Sequence, residues 1–359
     1  MTHLKKVSGV AFSAAFSILL ACARGTAVAA PLTECVGRVQ VDFPGPVEVA
    51  TVSLKTMEAE YRVHSPQPRY EFQDGQEAGW SSIQTPERFL VTSPLPTAER
   101  ERMLKLAKNR ADKTKLWAKS ADAKKNFELL PLGEQKGVAA HVGGSYDWTL
   151  VVGDSIVRSW FERNQEWSGS KKKLDSVLAG IRSREIGDSP AEDGICLPYA
   201  FIRDATPSRS YVGTTYRLRE HPDLTVWILD RNAEALSPEL KSQAEDPTAK
   251  SDVFWSNYMP GNVKDVKSVW SEPYRKVTVA GSNGVESFVR IRRSDGAVDA
   301  GYLMVTRGNP EASIAGRDLM LYVIQDSRNA VKNGIEPVSA EAFLRTAKSI
   351  SSSVRKLRP

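Results

Sequence analysis

The chain carries only three cysteines and four histidines in 359 residues. So few cysteines exclude a disulfide-dense scaffold. No two histidines stand at a metal-ligand spacing such as H-x-x-x-H, so nothing in the sequence points to a zinc site. Phosphate-cradling loops of the Walker A or G-x-G-x-x-G kind are missing, and so is a G-x-S-x-G nucleophile elbow. No cofactor is expected. After the first 29 residues no run is apolar enough to span a bilayer, which takes about 20 residues. At 41% hydrophobic residues the chain is nonetheless too apolar to stay disordered. Its length predicts about two domains, at roughly 150 residues each.

What is present begins with an export signal. Lys5 and Lys6 precede an apolar run from Val7 to Ala21, and Ala27 and Ala29 form an A-x-A cleavage site. Cleavage after Ala29 leaves residues 30–359. The apolar run is 15 residues long, short for an uncleaved anchor. A competing reading takes Leu19-Leu20-Ala21-Cys22 as a lipobox, with Cys22 acylated; membrane attachment is expected only in that case. Removal of the signal also changes the charge. Lys5, Lys6 and Arg24 leave with no acid, so the net +6 of the whole chain becomes 46 basic against 43 acidic residues, or +3. Two cysteines remain, Cys35 and Cys196. An even number in an oxidising compartment predicts a Cys35–Cys196 disulfide, the alternative being two buried free thiols.

The pattern along the chain is mixed. Val39, Val41 and Phe43 alternate as in a strand, and Val47–Val63 reads as further strand, including Glu58-Ala59-Glu60-Tyr61. Residues 65–97 are proline-rich and read as loop. A helix is predicted from a Thr97 cap to about Asn126, with ten bases against four acids. Trp148–Val152 and Ile156–Phe161 flank Gly153-Asp154 as a hairpin. Lys171–Arg184 is amphipathic through Leu174, Val177, Leu178 and Ile181. Ile186–Asp193 is the candidate linker.

Seven strands are predicted in the second half: Leu197–Arg203, Ser210–Arg219, Leu224–Leu229, Lys276–Ala280, Val285–Arg293, Gly301–Thr306 and Leu319–Ile324. Asn283-Gly284 and Asp295-Gly296 read as hairpin turns. A last helix is capped by Ser339, carries a stripe of Phe343, Ala347, Ile350, Val354 and Leu357, and has Arg355 and Lys356 in its last turn. Strands clustered in hairpins with helices beside them predict an α+β fold with mostly antiparallel sheets.

Catalytic signals are thin. Gly153-Asp154-Ser155-Ile156 is similar to the first block of the GDSL-type hydrolases, in which the serine is the nucleophile. That chemistry needs a histidine with an aspartate three residues before it. The only later histidine is His221, and position 218 is Leu218. A hairpin turn is the plainer reading, which leaves a serine esterase using Ser155 as a minor alternative. The basic helix could meet an acidic partner or anionic phospholipid, or be a solvated face. That keeps an exported envelope scaffold or lipid-binding protein as an alternative. Export argues against nucleic acid, and the missing dense apolar face argues against deep membrane insertion.

Several landmarks resemble one family. They are Cys35-Val36-Gly37-Arg38 leading into Val39–Phe43 and Pro44, then Gly194-Ile195-Cys196-Leu197-Pro198 with Phe201, then His221-Pro222-Asp223, and a final helix ending Leu357-Arg358-Pro359. The chain is similar to the periplasmic immunity proteins that neutralise phospholipase effectors of the bacterial type VI secretion system, in the branch with separate N- and C-terminal domains. The resemblance spans about residue 33 to the end. It implies two α+β domains, 30–188 and 189–359, in a claw-like arrangement. It also implies a chain without catalysis that binds a cognate lipase effector and blocks its active site or cap, and that is a monomer before binding. Gly37, Arg38, Pro44, Pro198, His221 and Pro222 are matched as architectural residues. No partner-contact residue belongs to the matched motifs.

Overall fold

The computed structural model describes residues 30–62, 69–78, 82–84, 88–120, 127–142, 145–161, 167–203, 210–233, 246–258 and 262–357. The expected export signal, Cys22, His64 and Arg358-Pro359 lie outside them.

The chain opens with a hairpin of β1 (Leu32–Val36) and β2 (Val39–Phe43), turned at Gly37. β3 (Val47–Val49) and β4 (Thr51–Val52) lead into helix α1 (Leu54–Arg62). The strand reading of Glu58-Ala59-Glu60-Tyr61 is therefore corrected. Met57, Glu60 and Tyr61 are the buried residues, three and four apart on one helical face. The Ser53 hydroxyl accepts from the Thr56 N–H at 3.3 Å and starts the helix.

The stretch expected to be loop contains β5 (Tyr70–Glu71), β6 (Ser82–Gln84) and β7 (Arg88–Val91). Phe89, Leu90 and Val91 are fully buried. Pro94 follows β7, and a proline outside a strand does not interrupt its ladder.

Helix α2 (Thr97–Ser120) is the basic helix, and the expected continuation to Asn126 lies outside the described residues. Thr97 is its first residue; the Pro96 carbonyl accepts the first bonds, from the Glu99 and Arg100 N–H groups. β8 (Phe127–Leu129), β9 (Gly137–Val142), β10 (Ser145–Val152) and β11 (Ser155–Phe161) follow. Gly153-Asp154 makes the β10–β11 turn as expected.

Helix α3 (Trp167–Gly180) stops short of Arg184, so Ile181 belongs to β12 (Ile181–Ser183). A Cβ at Gly180 would lie 2.6 Å from the Arg203 carbonyl oxygen, so the helix end passes against backbone. The single strand expected over Leu197–Arg203 is a hairpin of β13 (Gly194–Leu197) and β14 (Ala200–Arg203), reversed at Pro198-Tyr199 with Tyr199 at φ 55°.

The remainder is β15 (Tyr211–Leu218), β16 (Leu224–Asn232), α4 (Pro247–Asn257), β17 (Val263–Ser268), β18 (Arg275–Val279), β19 (Ser282–Arg293), β20 (Val298–Thr306), β21 (Arg317–Gln325), α5 (Ser327–Lys332), α6 (Ala340–Ser353) and β22 (Arg355–Lys356). Asp295-Gly296 lies in a turn as expected. Asn283-Gly284 does not: the reversal falls at Ala280-Gly281, and Asn283 and Gly284 pair inside β19. Arg355 and Lys356 leave the last helix and pair with β2 instead.

The fold is α+β, and every pairing between described strands is antiparallel. Fourteen strands form one sheet that runs β17-β19-β20-β21-β16-β15-β6-β7-β11-β10-β9-β8, with β18 beside β19 and β3 beside β15. β15 bonds to β16 along one edge. Along the other it bonds to β3 at Tyr216–Leu218 and to β6 at Tyr211–Gly213. Strands before and after residue 188 therefore share one ladder. Helix α6 closes the core, with Phe343, Ala347 and Ile350 fully buried and the Phe343 ring stacked on Phe288 at 6.1 Å. Burying each large apolar side chain of this stripe stabilises by about 1.5–3 kcal/mol.

Candidate functional site

The sequence motifs meet at one junction. Cys35 of β1 and Cys196 of β13 form a disulfide, and both are buried beside Phe201. Next to it Gly37 and Cys196 exchange backbone hydrogen bonds of 2.9 and 2.8 Å. The Arg38 N–H donates to Asp230 Oδ2 at 2.7 Å. Gly37 sits at φ 58°, and a Cβ there would collide with the Asp230 carboxylate. Both facts require glycine. Gly37→Ala is expected to lower stability by about 1–3 kcal/mol in urea unfolding, and a loss under about 0.5 kcal/mol would show that the turn tolerates a side chain.

Two sets of charges support this junction, and a third lies beside it across the same ladder. Glu34 and Arg184 are both 0% exposed and form an ion pair. The second Glu34 oxygen accepts the Gly187 N–H at 2.6 Å. Arg184 also donates to the carbonyls of Leu197 and Asp188, each at 3.0 Å. The candidate linker is thus held down on β1.

The other two sets lie on opposite faces of the β16–β21 ladder, because Arg231 pairs with Asp318 and Asn232 with Arg317 in register. On one face Arg317 donates to both Asp230 oxygens at 2.7 and 2.6 Å, and to Asn232 and Ser210. On the other Asp318 takes Arg231 at 3.0 Å, Lys250 at 3.2 Å, Arg307, and the Gly308 N–H at 3.1 Å. Burial pushes the Asp318 carboxyl up, but the cations and the N–H outweigh it and hold it below the usual carboxylate range. Burial lowers the Lys250 ammonium against the pull of Asp318.

The remaining motif residues are backbone fixtures. Pro198 turns β13 into β14, and Pro44 lies in the bend after β2. His221 and Pro222 lead into β16. The His221 carbonyl accepts from the Leu224 N–H at 2.8 Å, and the Pro222 carbonyl from Asn329 Nδ2 at 3.2 Å. Neither belongs to the junction network.

Glu34, Arg184, Asp230 and Arg317 carry much of the junction, and the sequence reading did not single them out. A charged residue inside an apolar strand run, such as Asp230 in LTVWILDRN, was the available signal.

Ser155 opens β11 and is 1% exposed, and no described histidine hydrogen-bonds to it. Asp154, next in the turn, pairs instead with Arg100 of α2 at 2.7 Å. Among the described residues no group of three His, Cys, Asp or Glu is placed to hold a metal ion. No described helix is long and apolar enough to cross a membrane.

The basic helix is fixed by its arginines. Besides Arg100, Arg102 pairs with Glu99 and with Glu58 of α1, and Arg110 with Asp147 of β10 at 2.8 Å. The residues it buries are Met103, Ala107, Ala111 and Ala118.

The fold has solved counterparts. One is the immunity protein TplEi of the type VI secretion system of Pseudomonas aeruginosa, solved with a peptide called "L". It aligns over 92% of this chain and 99% of its own, with a TM-score of 0.57 and 16% identity. Its apo structure aligns over 91% and 97%, at 0.55 and 16%. A chain of the Tle4–Tli4 complex aligns over 91% and 97%, at 0.56 and 15% identity. No protein-family model matches the chain, and no curated protein matches it by sequence. The resemblance read from the motifs is thus borne out as a shared fold.

Proposed function

We propose that this chain is an exported immunity protein that binds and inhibits a cognate type VI secretion phospholipase in the periplasm. The observation that carries the reading is the end-to-end fold likeness to an immunity protein, 92% of this chain on 99% of that one. In this reading residues 30–188 and 189–359, joined through one sheet, form two lobes of a claw that hold the lipase and block its active site or cap. The Cys35–Cys196 disulfide suits an oxidising compartment. The protein works by occupying a surface, and its own side chains perform no chemistry.

The test is periplasmic co-expression with the product of the neighbouring reading frame, which this reading expects to be a lipase. Cells making both are expected to survive, and the two proteins to co-purify. Cell death with no complex would sink the proposal. Ser155→Ala belongs in the same assay. Full protection by that variant is the expected result, and lost protection with normal folding would revive an esterase role for Ser155.

A further inference from the structure

We propose that the outer face of α2 is a docking surface for an acidic patch on the lipase. This inference rests on the immunity reading and adds to it the chemistry of one contact.

The bases of α2 divide by type. Arg100, Arg102 and Arg110 are all engaged in ion pairs within the chain. Lys105, Lys108, Lys113 and Lys115 are exposed, and none of them forms an ion pair with a described residue. Arginine's planar fork suits a fixed pair, whereas a lysine ammonium stays hydrated on a flexible stem. The arginines hold the helix to α1, to the β10–β11 turn and to β10. The lysines point away from the protein.

Helical geometry gathers them. At about 100° per residue, Lys105 and Leu116 fall opposite Met103, Ala107, Ala111 and Ala118. Lys108 and Lys115 flank that line on one side and Lys113 on the other. Asp112 is the one acid from Lys105 to Trp117, and Glu101 lies a turn earlier. Leu116 is 66% exposed and Trp117 58% exposed. Leu116 continues the outward line just past the lysines, with Lys113 and Lys115 within a turn of it and Asp112 four residues before it, and an exposed apolar residue beside unengaged cations has the make-up of an interface anchor with a charged rim.

A solvated helix face accounts for the lysines but does not call for an exposed Leu116 on the same outward line. A membrane surface fits less well than a protein. The residues that could insert as an apolar face are packed inward, and Leu116 and Trp117 are the exposed large apolar residues of the helix. Charge complementarity therefore commits the face to an acidic protein patch beside an apolar contact.

The experiment compares residues 30–359 with a Lys105→Glu/Lys108→Glu/Lys115→Glu variant and with Leu116→Ser, using as probe the lipase of the co-expression test. All four positions are exposed, and a matched urea midpoint confirms folding. Charge reversal is expected to slow association at least tenfold at low salt and to abolish most of its salt dependence. Leu116→Ser is expected to speed dissociation severalfold.

An unchanged association rate and salt slope in the triple variant, with wild type binding normally, overturns the docking face and leaves the immunity reading intact. Failure of the wild type to bind overturns both. Flotation with phosphatidylglycerol-containing vesicles is the third arm. Vesicle binding lost in the triple variant, with lipase affinity unchanged, assigns the face to the membrane and overturns the proposal.

Discussion

Replacing Cys35 and Cys196 together by alanine is expected to lower the unfolding free energy by about 4–5 kcal/mol, seen as a fall in the urea midpoint with a steeper slope, because the unbridged unfolded chain exposes more surface. The bond closes a loop between residues 161 apart in sequence. In the chain-entropy account a cross-link restricts the unfolded ensemble, and the gain grows with the logarithm of loop length. The bridge also fastens β1 to β13, on either side of the expected domain boundary. The variant is therefore expected to loosen the β1–β13 contact first, detectable as faster amide exchange at Gly37 and Cys196, which bond to each other. A loss under about 1 kcal/mol would mean that the Glu34–Arg184 pair and the β2–β22 ladder hold the junction without the bridge.

The second large effect is expected at Glu34. Glu34→Ala removes the partner of a guanidinium that is fully buried, and it also orphans the Gly187 N–H. Carbonyls still surround Arg184, but none neutralises its charge. The expected loss is about 3–5 kcal/mol. The control is Glu34→Met/Arg184→Met, which buries apolar volume and leaves no unpaired ion. It is expected to cost less than Glu34→Ala alone. A double-mutant cycle decides the matter: strict additivity of the two sites would show that they do not stabilise each other.

Stretches whose stabilising contacts are local were legible in the sequence. The β10–β11 hairpin follows from Gly153-Asp154 between two apolar runs, and α6 follows from the Ser339 cap and its stripe. Strands β2, β15, β16, β20 and β21 follow from apolar runs of the right length. The misreadings came where a distant partner decides. Glu58-Ala59-Glu60-Tyr61 lacks a strong pattern of either period, and the core that Met57 and Tyr61 enter made it helix. Arg355 and Lys356 would suit a helix C-terminus, but β2 offered them a ladder. Asn283-Gly284 is a good turn signal, yet Gly284 passes so close to Val305 that only glycine fits a strand there. The same residue type serves a turn or a close approach, and the local sequence does not distinguish them.

The candidate surface divides in the same way. The bases of α2 could be counted from the sequence, but their division into anchoring arginines and unengaged lysines could not. That division depends on Asp147, Asp154 and Glu58, which reach the helix only through the fold.

The sequence by itself determined an α+β chain with antiparallel hairpins, a basic helix and a cysteine pair at Cys35 and Cys196. These properties depend on composition and on periodicities of two and 3.6, which act over a few residues. The tertiary structure alone decided that strands on both sides of residue 188 share one sheet, and that Glu34, Arg184, Asp230 and Arg317 are buried as pairs. It also decided which bases of α2 are tied into ion pairs and which are left exposed. Each of those outcomes depends on contacts between residues far apart in sequence, whose ion pairs form only once burial has removed water from around them.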